Sequence, residues 1–273
     1  MIPSASNPDR TLGARLSPVL LLDASIPSTR ITQEILKDLG VARIVTDTSD
    51  ERGLALCKQV EPRVIITELH GPALDGLKFV RALRRSSLRS RKTPVIIITA
   101  QATAASLTAA RNAGAHEFMC KPFTIRDLKR RLEAVSQHNR DWIEAVSYVG
   151  PDRRRFNAGA YNGPRKRVAD AASGSVGARI EQALRILASA VTAIDSDPAQ
   201  ALRSMQAQAI DLAGIAASTN DAKLTAGVSA LQRGLSEAVT SGQLTRAAVE
   251  ASVSNLLARL PEDKPREAPR QVA

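Results

Sequence analysis

Residues 64–76 read VIITELHGPALDG, and this stretch decides the fold of the first half of the chain. It begins with apolar and β-branched residues, which are typical of a strand buried on both faces. It then reaches an acid at Glu68 and a Gly-Pro turn, and Asp75 opens the next amphipathic segment. A strand that ends in a carboxylate and leads through a turn into a helix is typical of a parallel α/β sheet.

The same alternation extends in both directions from this stretch. Short apolar runs fall at 19–22, 43–45, 64–67, 94–99 and 117–120, and segments of helical period fall at 28–39, 50–60, 75–85, 103–113 and 125–135. The alternation predicts an α/β fold with a doubly wound, five-stranded parallel sheet. Ligand sites in such sheets lie at the carboxyl ends of the strands. The residues expected to meet there are Asp23, Glu68, Thr99 and Lys121.

Three motifs in this region carry a family resemblance. They are ELHGPALDG at 68–76, VIIITA at 95–100 and the triplet Lys121-Pro122-Phe123, in this order along the chain. Over about residues 16–137 the chain resembles the receiver domain of bacterial response regulators, the chemotaxis-type phosphoacceptor domain with a flavodoxin-like fold. The resemblance implies that an aspartate after strand three accepts a phosphoryl group from a histidine kinase. It also implies that two acids after strand one hold Mg²⁺ together with that aspartate.

The resemblance assigns roles to further residues of the pocket. Thr99 and Lys121 stand where the family grips the phosphoryl oxygens, and Phe118 stands where the family usually carries its switching aromatic. With Pro122, these residues form the predicted switch pocket. Their presence indicates that the switching path is retained, and the alternative is that Thr99 and Phe118 only fill packing space.

Two positions depart from the family pattern. The phosphoacceptor position holds Glu68 rather than Asp, and the acidic pair is Asp23-Ala24, so one carboxylate is missing. Because Mg²⁺ needs carboxylate oxygens in near-octahedral geometry, we expect its binding to be weak or absent. Glu68 also extends about 1.5 Å further than Asp and can meet Lys121 directly. The sequence therefore predicts a pseudo-receiver without a catalytic residue, cofactor or resident metal; a genuine phosphorelay response regulator is the alternative.

Positive charge is densest in a short middle segment. The chain has a net charge of +11, and residues 147–175 hold six basic and two acidic residues. Both tyrosines of the chain open a Tyr-x-Gly-Pro motif in this segment, and each motif is followed by three cations. The residues of the two copies are Tyr148, Arg153, Arg154, Arg155, Tyr161, Arg165, Lys166 and Arg167. Two other basic clusters, at 81–92 and 126–131, are expected to be solvated faces.

The paired motifs suggest a nucleotide site. Gly-Pro favours an exposed turn, on which each copy would present one aromatic face and three cations. Arginine grips phosphates and aromatic rings stack on bases. The segment is thus similar to the arginine-rich tails of receiver-like proteins that bind cyclic dinucleotides, notably cyclic di-GMP. A basic linker that binds nothing, and docking on nucleic acid or an anionic membrane surface, remain the alternatives.

Residues 176–260 predict an all-α domain. They are Ala-rich with helical period, and breaks leave four helices at 177–195, 199–217, 221–239 and 244–260, which favours a four-helix bundle. The region distantly resembles histidine phosphotransfer domains, but Ile210 stands at the position of the phosphorylated histidine. It contains no His or Cys, so it lacks a nucleophile paired with a base. We therefore expect a docking module, for a partner or for a homodimer, and not an enzyme.

The whole chain then divides into five segments. These are a disordered N-terminus at 1–15, the pseudo-receiver at 16–146, the basic linker at 147–175, the helical bundle at 176–260 and a disordered tail at 261–273. No apolar run reaches the length of about 18 residues that a transmembrane helix needs. The N-terminus also lacks the apolar stretch of a cleavable signal, which favours a cytoplasmic protein. The sequence predicts a bacterial two-component-type signalling adaptor whose partners are a histidine kinase or a downstream effector.

Overall fold

The computed structural model describes residues 8–137, 140–153, 176–242 and 244–260. Their contacts divide into two compact units. The α/β unit contains the described residues up to Ile143 together with 147–153. The helical unit contains Glu144–Val146 and the described residues from Val176 onwards. Among the described helices, none is both long and apolar enough to cross a membrane.

The α/β unit is built on a five-stranded parallel sheet. Its strands are β1 (Val19–Leu22), β2 (Ile44–Asp47), β3 (Val64–Glu68), β6 (Val95–Thr99) and β7 (Glu117–Cys120), in the order β2-β1-β3-β6-β7. A two-residue hairpin, β4 (His70–Gly71) with β5 (Leu74–Asp75), follows β3. The central strands are buried throughout, as expected when helices cover both faces. The predicted doubly wound, flavodoxin-like sheet is confirmed.

Helices cover the two faces of this sheet. They are α1 (Pro8–Leu16), α2 (Ile26–Asp38), α3 (Asp50–Val60), α4 (Gly76–Arg85), α5 (Ala104–Ala113) and α6 (Ile125–Gln137), with a 3₁₀ turn at Arg89–Lys92. One apolar cluster joins the sheet to α1, α2 and α6, and a second joins it to α3, α4 and α5. Both clusters are built almost entirely from aliphatic side chains, as the low aromatic content requires.

The N-terminal segment contains a helix, so the expectation that residues 1–15 are disordered is wrong from Pro8 onwards. Leu12 and Leu16 lie four residues apart on α1, and both are buried in the cluster with α2 and α6. Gly13 lies so close to the chain after α2 that a Cβ there would stand 2.1 Å from the carbonyl carbon of Gly40. Tight packing of this one face holds the helix against the domain.

The boundary predicted between receiver and linker at residue 146 is also wrong. Strands β8 (Trp142–Glu144) and β9 (Val149–Pro151) pair with each other after α6. The amide of Asp152 donates to the carbonyl of Asp141 at 2.8 Å and extends this pairing. The predicted linker therefore begins with ordered structure, and its remainder, 154–175, lies outside the described residues.

The described part of the helical unit contains four helices. They are α7 (Val176–Thr192), α8 (Pro198–Thr219), α9 (Ala222–Ser241) and α10 (Arg246–Leu257). Each buries an apolar stripe in one common core of Leu, Ile, Val, Ala and Met side chains. The predicted all-α domain is confirmed, with boundaries within a few residues of those expected. Residues 261–273 lie outside the described range.

Candidate functional site

The candidate site lies at the carboxyl ends of four neighbouring strands. Asp23 directly follows β1, Glu68 ends β3, Thr99 ends β6 and Lys121 directly follows β7. Because all these strands are parallel, the four residues lie at one edge of the sheet. This is the group that the strand pattern predicted.

Lys121 holds the two acids of the site together. Its ammonium donates to Oδ2 of Asp23 at 2.8 Å and makes a second, short contact with Oε2 of Glu68. The side chains are largely buried, with exposed fractions of 19% for Lys121, 5% for Asp23 and 11% for Glu68. Burial disfavours the ammonium, but hydrogen bonds and charge from Asp23 and Glu68 outweigh it and raise the pKa of Lys121 above its ordinary value.

Each of the four carboxylate oxygens of this pair accepts a hydrogen bond. Oδ1 of Asp23 accepts from the amide of Ser25 at 2.8 Å, and Oδ2 accepts from the hydroxyl of Ser28 at 2.7 Å besides Lys121. Oε1 of Glu68 accepts from the amide of Leu69 at 2.9 Å, while Oε2 contacts Lys121. The acids are thus held by the start of α2, by the backbone after β3 and by one shared cation.

Thr99 lies beside this group and is linked to it through the backbone. Its carbonyl accepts from the amide of Lys121 at 2.8 Å, and its buried hydroxyl accepts from the amide of Gln101 at 3.1 Å. Phe118 is half-buried against the cluster under α3, α4 and α5 and lines a surface groove. Pro122 is exposed.

Ala24 occupies the position of the missing second acid. It is half-buried, and a Cβ on Gly71 would stand 2.9 Å from the Ala24 methyl group. Gly71 therefore lies close to the Ala24 methyl group, and position 24 supplies no carboxylate beside Asp23.

Comparisons with known proteins identify the family of the α/β unit. Residues 19–133 match the model of the response regulator receiver domain. The chain is 31% identical over 117 residues to a probable chemotaxis protein CheY of Rhizobium etli, covering 43% of this chain and 90% of that protein. The chain belongs to the response regulator receiver family.

Two further relatives are of the same kind. The receiver is 31% identical over 118 residues to chemotaxis protein CheY1 of Helicobacter pylori, covering 43% of this chain and 94% of that protein. A solved structure of CheY4 from Vibrio cholerae is 28% identical, covers 43% of this chain and 96% of that one, and has a TM-score of 0.40.

Two pocket residues of the receiver, Ser25 and Ser28, are not indicated by the strand pattern. Ser25 caps the N-terminus of α2, and both it and Ser28 bond Asp23. The Ser-x-x-Ser spacing before an apolar helical segment is a capping signal that points to them. Asp47 is a further buried acid, but its carboxylate accepts from the amides of Thr48 and Ser49 in its own loop.

The first linker motif does not present an exposed aromatic ring, so that expectation is wrong. Tyr148 is 4% exposed, and its hydroxyl donates to the carbonyl of Pro151 at 2.6 Å. Arg153 packs over the tyrosine ring at 4.1 Å and donates to Asn112 at 2.9 Å. The other six predicted nucleotide-binding residues, Arg154, Arg155, Tyr161, Arg165, Lys166 and Arg167, lie outside the described residues, and cyclic di-GMP binding stays a prediction.

The basic cluster at 81–92 is not wholly a solvated face either. Arg84 is 1% exposed, and burial lowers its pKa to about 9. Its guanidinium donates to the carbonyls of Gly114, Arg91 and Thr93 and contacts Nδ1 of His116. Arg84 is therefore a buried anchor, since backbone oxygens replace its hydration.

Proposed function

We propose that this protein is a two-component signalling adaptor whose receiver acts without phosphorylation. The single observation that carries the proposal is the position of the Lys121 ammonium between Asp23 and Glu68. Receivers belong to signalling between histidine kinases and effectors, and such proteins are the partners that the family membership supports.

The acceptor position is already engaged. Each oxygen of Glu68 already accepts one contact, from Leu69 or from Lys121, so attack on a phosphoryl group would compete with these contacts. Phosphorylation of Glu68 would have to displace its carboxylate from the present contact with Lys121.

The donor set also does not fit Mg²⁺. A divalent cation of this kind needs several carboxylate or carbonyl oxygens around it. Here an ammonium lies between the two carboxylates, and Ala24 supplies no side-chain oxygen. Without the metal, charge that builds up on a transferred phosphoryl group is not neutralised. The internal Glu68–Lys121 pair takes the place of both the metal and the phosphoryl group.

The helical unit suits a docking role. Ile210, at the position where histidine phosphotransfer domains carry their histidine, is 71% exposed on α8. An aliphatic side chain has no nucleophilic nitrogen, so this surface can bind a partner but cannot pass on a phosphoryl group. Receiver and helical unit together therefore fit an adaptor that acts through protein contacts.

The test is labelling with a small-molecule phosphodonor. The full chain is incubated with acetyl phosphate and Mg²⁺ and analysed by intact mass and peptide mapping. A phosphorylatable receiver in the same tube reports that the donor is active. We expect no phosphoryl adduct on the wild type. Stoichiometric acyl phosphate on Glu68 would establish the competing function, a genuine phosphorelay response regulator.

A matched variant checks which residues are responsible. Ala24→Asp/Glu68→Asp restores both family carboxylates and shortens the acid that reaches Lys121. We expect this variant to take up phosphate where the wild type does not, because a second acid becomes available for the metal.

A further inference from the structure

A folded segment follows the receiver where the sequence predicted a linker. Residues 140–153, here called the strap, form the β8–β9 hairpin. The Tyr148 hydroxyl closes the hairpin on Pro151 at 2.6 Å. Arg140 anchors its start by donating to the carbonyl of His116 at 2.8 Å and to the buried carboxylate of Glu117 at 2.5 Å. The strap is thus held by buried, charge-assisted contacts rather than by surface contacts alone.

The strap packs against the C-terminal end of α5. A Cβ on Gly114, which ends that helix, would stand 2.7 Å from the carbonyl oxygen of Val149. A Cβ on Gly150 would stand 2.8 Å from the Cα of Gly114. Next to these contacts, Arg153 donates to the side chain of Asn112 at 2.9 Å. Backbone meets backbone here with no space for a side chain, so the strap follows any displacement of this helix end.

Arg84 contacts the same two elements. It donates to the carbonyl of Gly114 at 3.0 Å, and its guanidinium carbon lies over the ring of Trp142, 5.3 Å from the ring centre. A buried guanidinium that bonds one element and faces an aromatic ring of the other holds both in one arrangement.

Helix α5 connects this contact to the pocket. It begins at Ala104, five residues after Thr99, with a capping box built by Thr103 and Ser106. Its buried residues, Ala110 and Ala113, both lie in its C-terminal half. A helix with so few buried side chains is held weakly along its length and opens at low free-energy cost. Its N-terminal end is therefore free to respond to the pocket, and its C-terminal end carries that response to the strap that packs against it.

The middle of the strap belongs to the helical unit. Glu144 is 4% exposed, and its carboxylate accepts from Nε2 of Gln200 at 3.0 Å, while its carbonyl accepts from Nε2 of Gln208 at 3.3 Å. Val146 packs against the apolar core of that unit. Glu144–Val146 thus contribute to the polar and apolar packing around α8.

We propose that the strap is the output element of the receiver, which senses the C-terminal end of α5 and passes its position along the backbone to α8. The backbone of the strap provides this route because Trp142 and Ile143 pack in the α/β unit, whereas Glu144–Val146 pack in the helical unit. This role of the strap rests on the adaptor function in one respect only, namely that the receiver acts on the helical unit.

The test is hydrogen exchange by mass spectrometry on the full chain. Gly150→Ala places a methyl group against Gly114 and the Tyr148 hydroxyl and so separates the strap from α5. The matched control is Gly177→Ala, where a new Cβ meets nothing within 4 Å. We expect exchange to rise about fivefold in the strap and, at α8, in peptides over 200–208, with no rise in the control. Wild-type exchange at 200–208 in Gly150→Ala would overturn the proposal.

A second variant keeps the test decisive if Gly150→Ala does not fold. Arg153→Ala removes only the exposed bond to Asn112 and the contact with the Tyr148 ring. We expect a rise of about twofold at the same α8 peptides, and an unchanged α8 would again refute the proposal.

The signal is also testable from the pocket. Lys121→Met releases Asp23 and Glu68, and we expect exchange in α5 and in the strap to rise by more than the general increase that the lost stability causes across the receiver. Faster exchange confined to the pocket loops would contradict the proposal. Acyl phosphate on Glu68 would contradict the phosphorylation-free function but would not affect the exchange result for the strap. Failure of the proposed function and failure of the proposed output element can therefore be told apart.

Discussion

Replacing Lys121 by Met should destabilise the receiver strongly, because it removes the only cation that contacts both acids in the described pocket. Asp23 and Glu68 would remain largely buried, close together and without their shared counter-ion. Breaking a buried ion pair by removing one partner costs about 3–5 kcal/mol. The bonds from Ser25, Ser28 and Leu69 remain, so we place the loss of unfolding free energy at the lower end, about 3 kcal/mol.

Urea unfolding followed by circular dichroism measures this loss. The matched control is Lys37→Met, which removes an exposed ion pair with Glu34 and should cost less than about 1 kcal/mol. The double variant Lys121→Met/Glu68→Gln should recover about 1–2 kcal/mol relative to Lys121→Met, because it removes one of the two unpaired charges. A loss below about 1 kcal/mol for Lys121→Met, or no recovery in the double variant, would show that Lys121 does not stabilise a buried pair of carboxylates.

Three further outcomes follow from the same contacts. The raised pKa of Lys121 contributes stability that is fully present below the unfolded-state pKa of 10.5 and is lost as the pH rises through the folded-state pKa. The difference in unfolding free energy between wild type and Lys121→Met should therefore shrink above pH 10.5, as measured by urea unfolding at a series of pH values. Leu16→Ala should lower the unfolding free energy by about 3 kcal/mol, since Leu16 of α1 is part of the core. A loss under about 1 kcal/mol would show that α1 is only loosely attached. Tyr148→Phe should cost about 1 kcal/mol by leaving the buried carbonyl of Pro151 without its donor, and an unchanged urea midpoint would contradict that contact.

The sheet was predictable from sequence because its signal is local. Runs such as 95–99 are β-branched and buried on both faces, and the acids and the lysine directly follow such runs. Parallel strands then bring Asp23, Glu68 and Lys121 to one edge without further information. Even the direct meeting of Glu68 with Lys121 follows from side-chain length.

The strap was not predictable in the same way, because its burial depends on residues far along the chain. The Tyr148 and Tyr161 motifs look alike in sequence, yet Tyr148 is buried between its own hairpin and Arg153. Gly-Pro indicates a turn but does not tell what the turn packs against. The spacing of Arg84 does indicate that it is buried, since it lies four residues after Val80 on the buried face of α4.

Helix α1 was not predictable from the sequence for a related reason. The N-terminal sequence is polar and contains prolines, and only the spacing of Leu12 and Leu16 indicates an apolar face. Two residues four apart are too few to separate a short packed helix from a disordered segment, and the tertiary contacts with α2 and α6 decide the outcome.

We propose that the Lys121 ammonium fills the position between Asp23 and Glu68 that a metal would need. A Mg²⁺ titration followed by amide NMR shifts tests it most directly, with the Ala24→Asp/Glu68→Asp variant as the comparison. Wild-type amides after β1 and β3 should not shift over the Mg²⁺ concentrations that saturate the variant. Saturable wild-type shifts at Asp23 and Glu68 over those concentrations would contradict it.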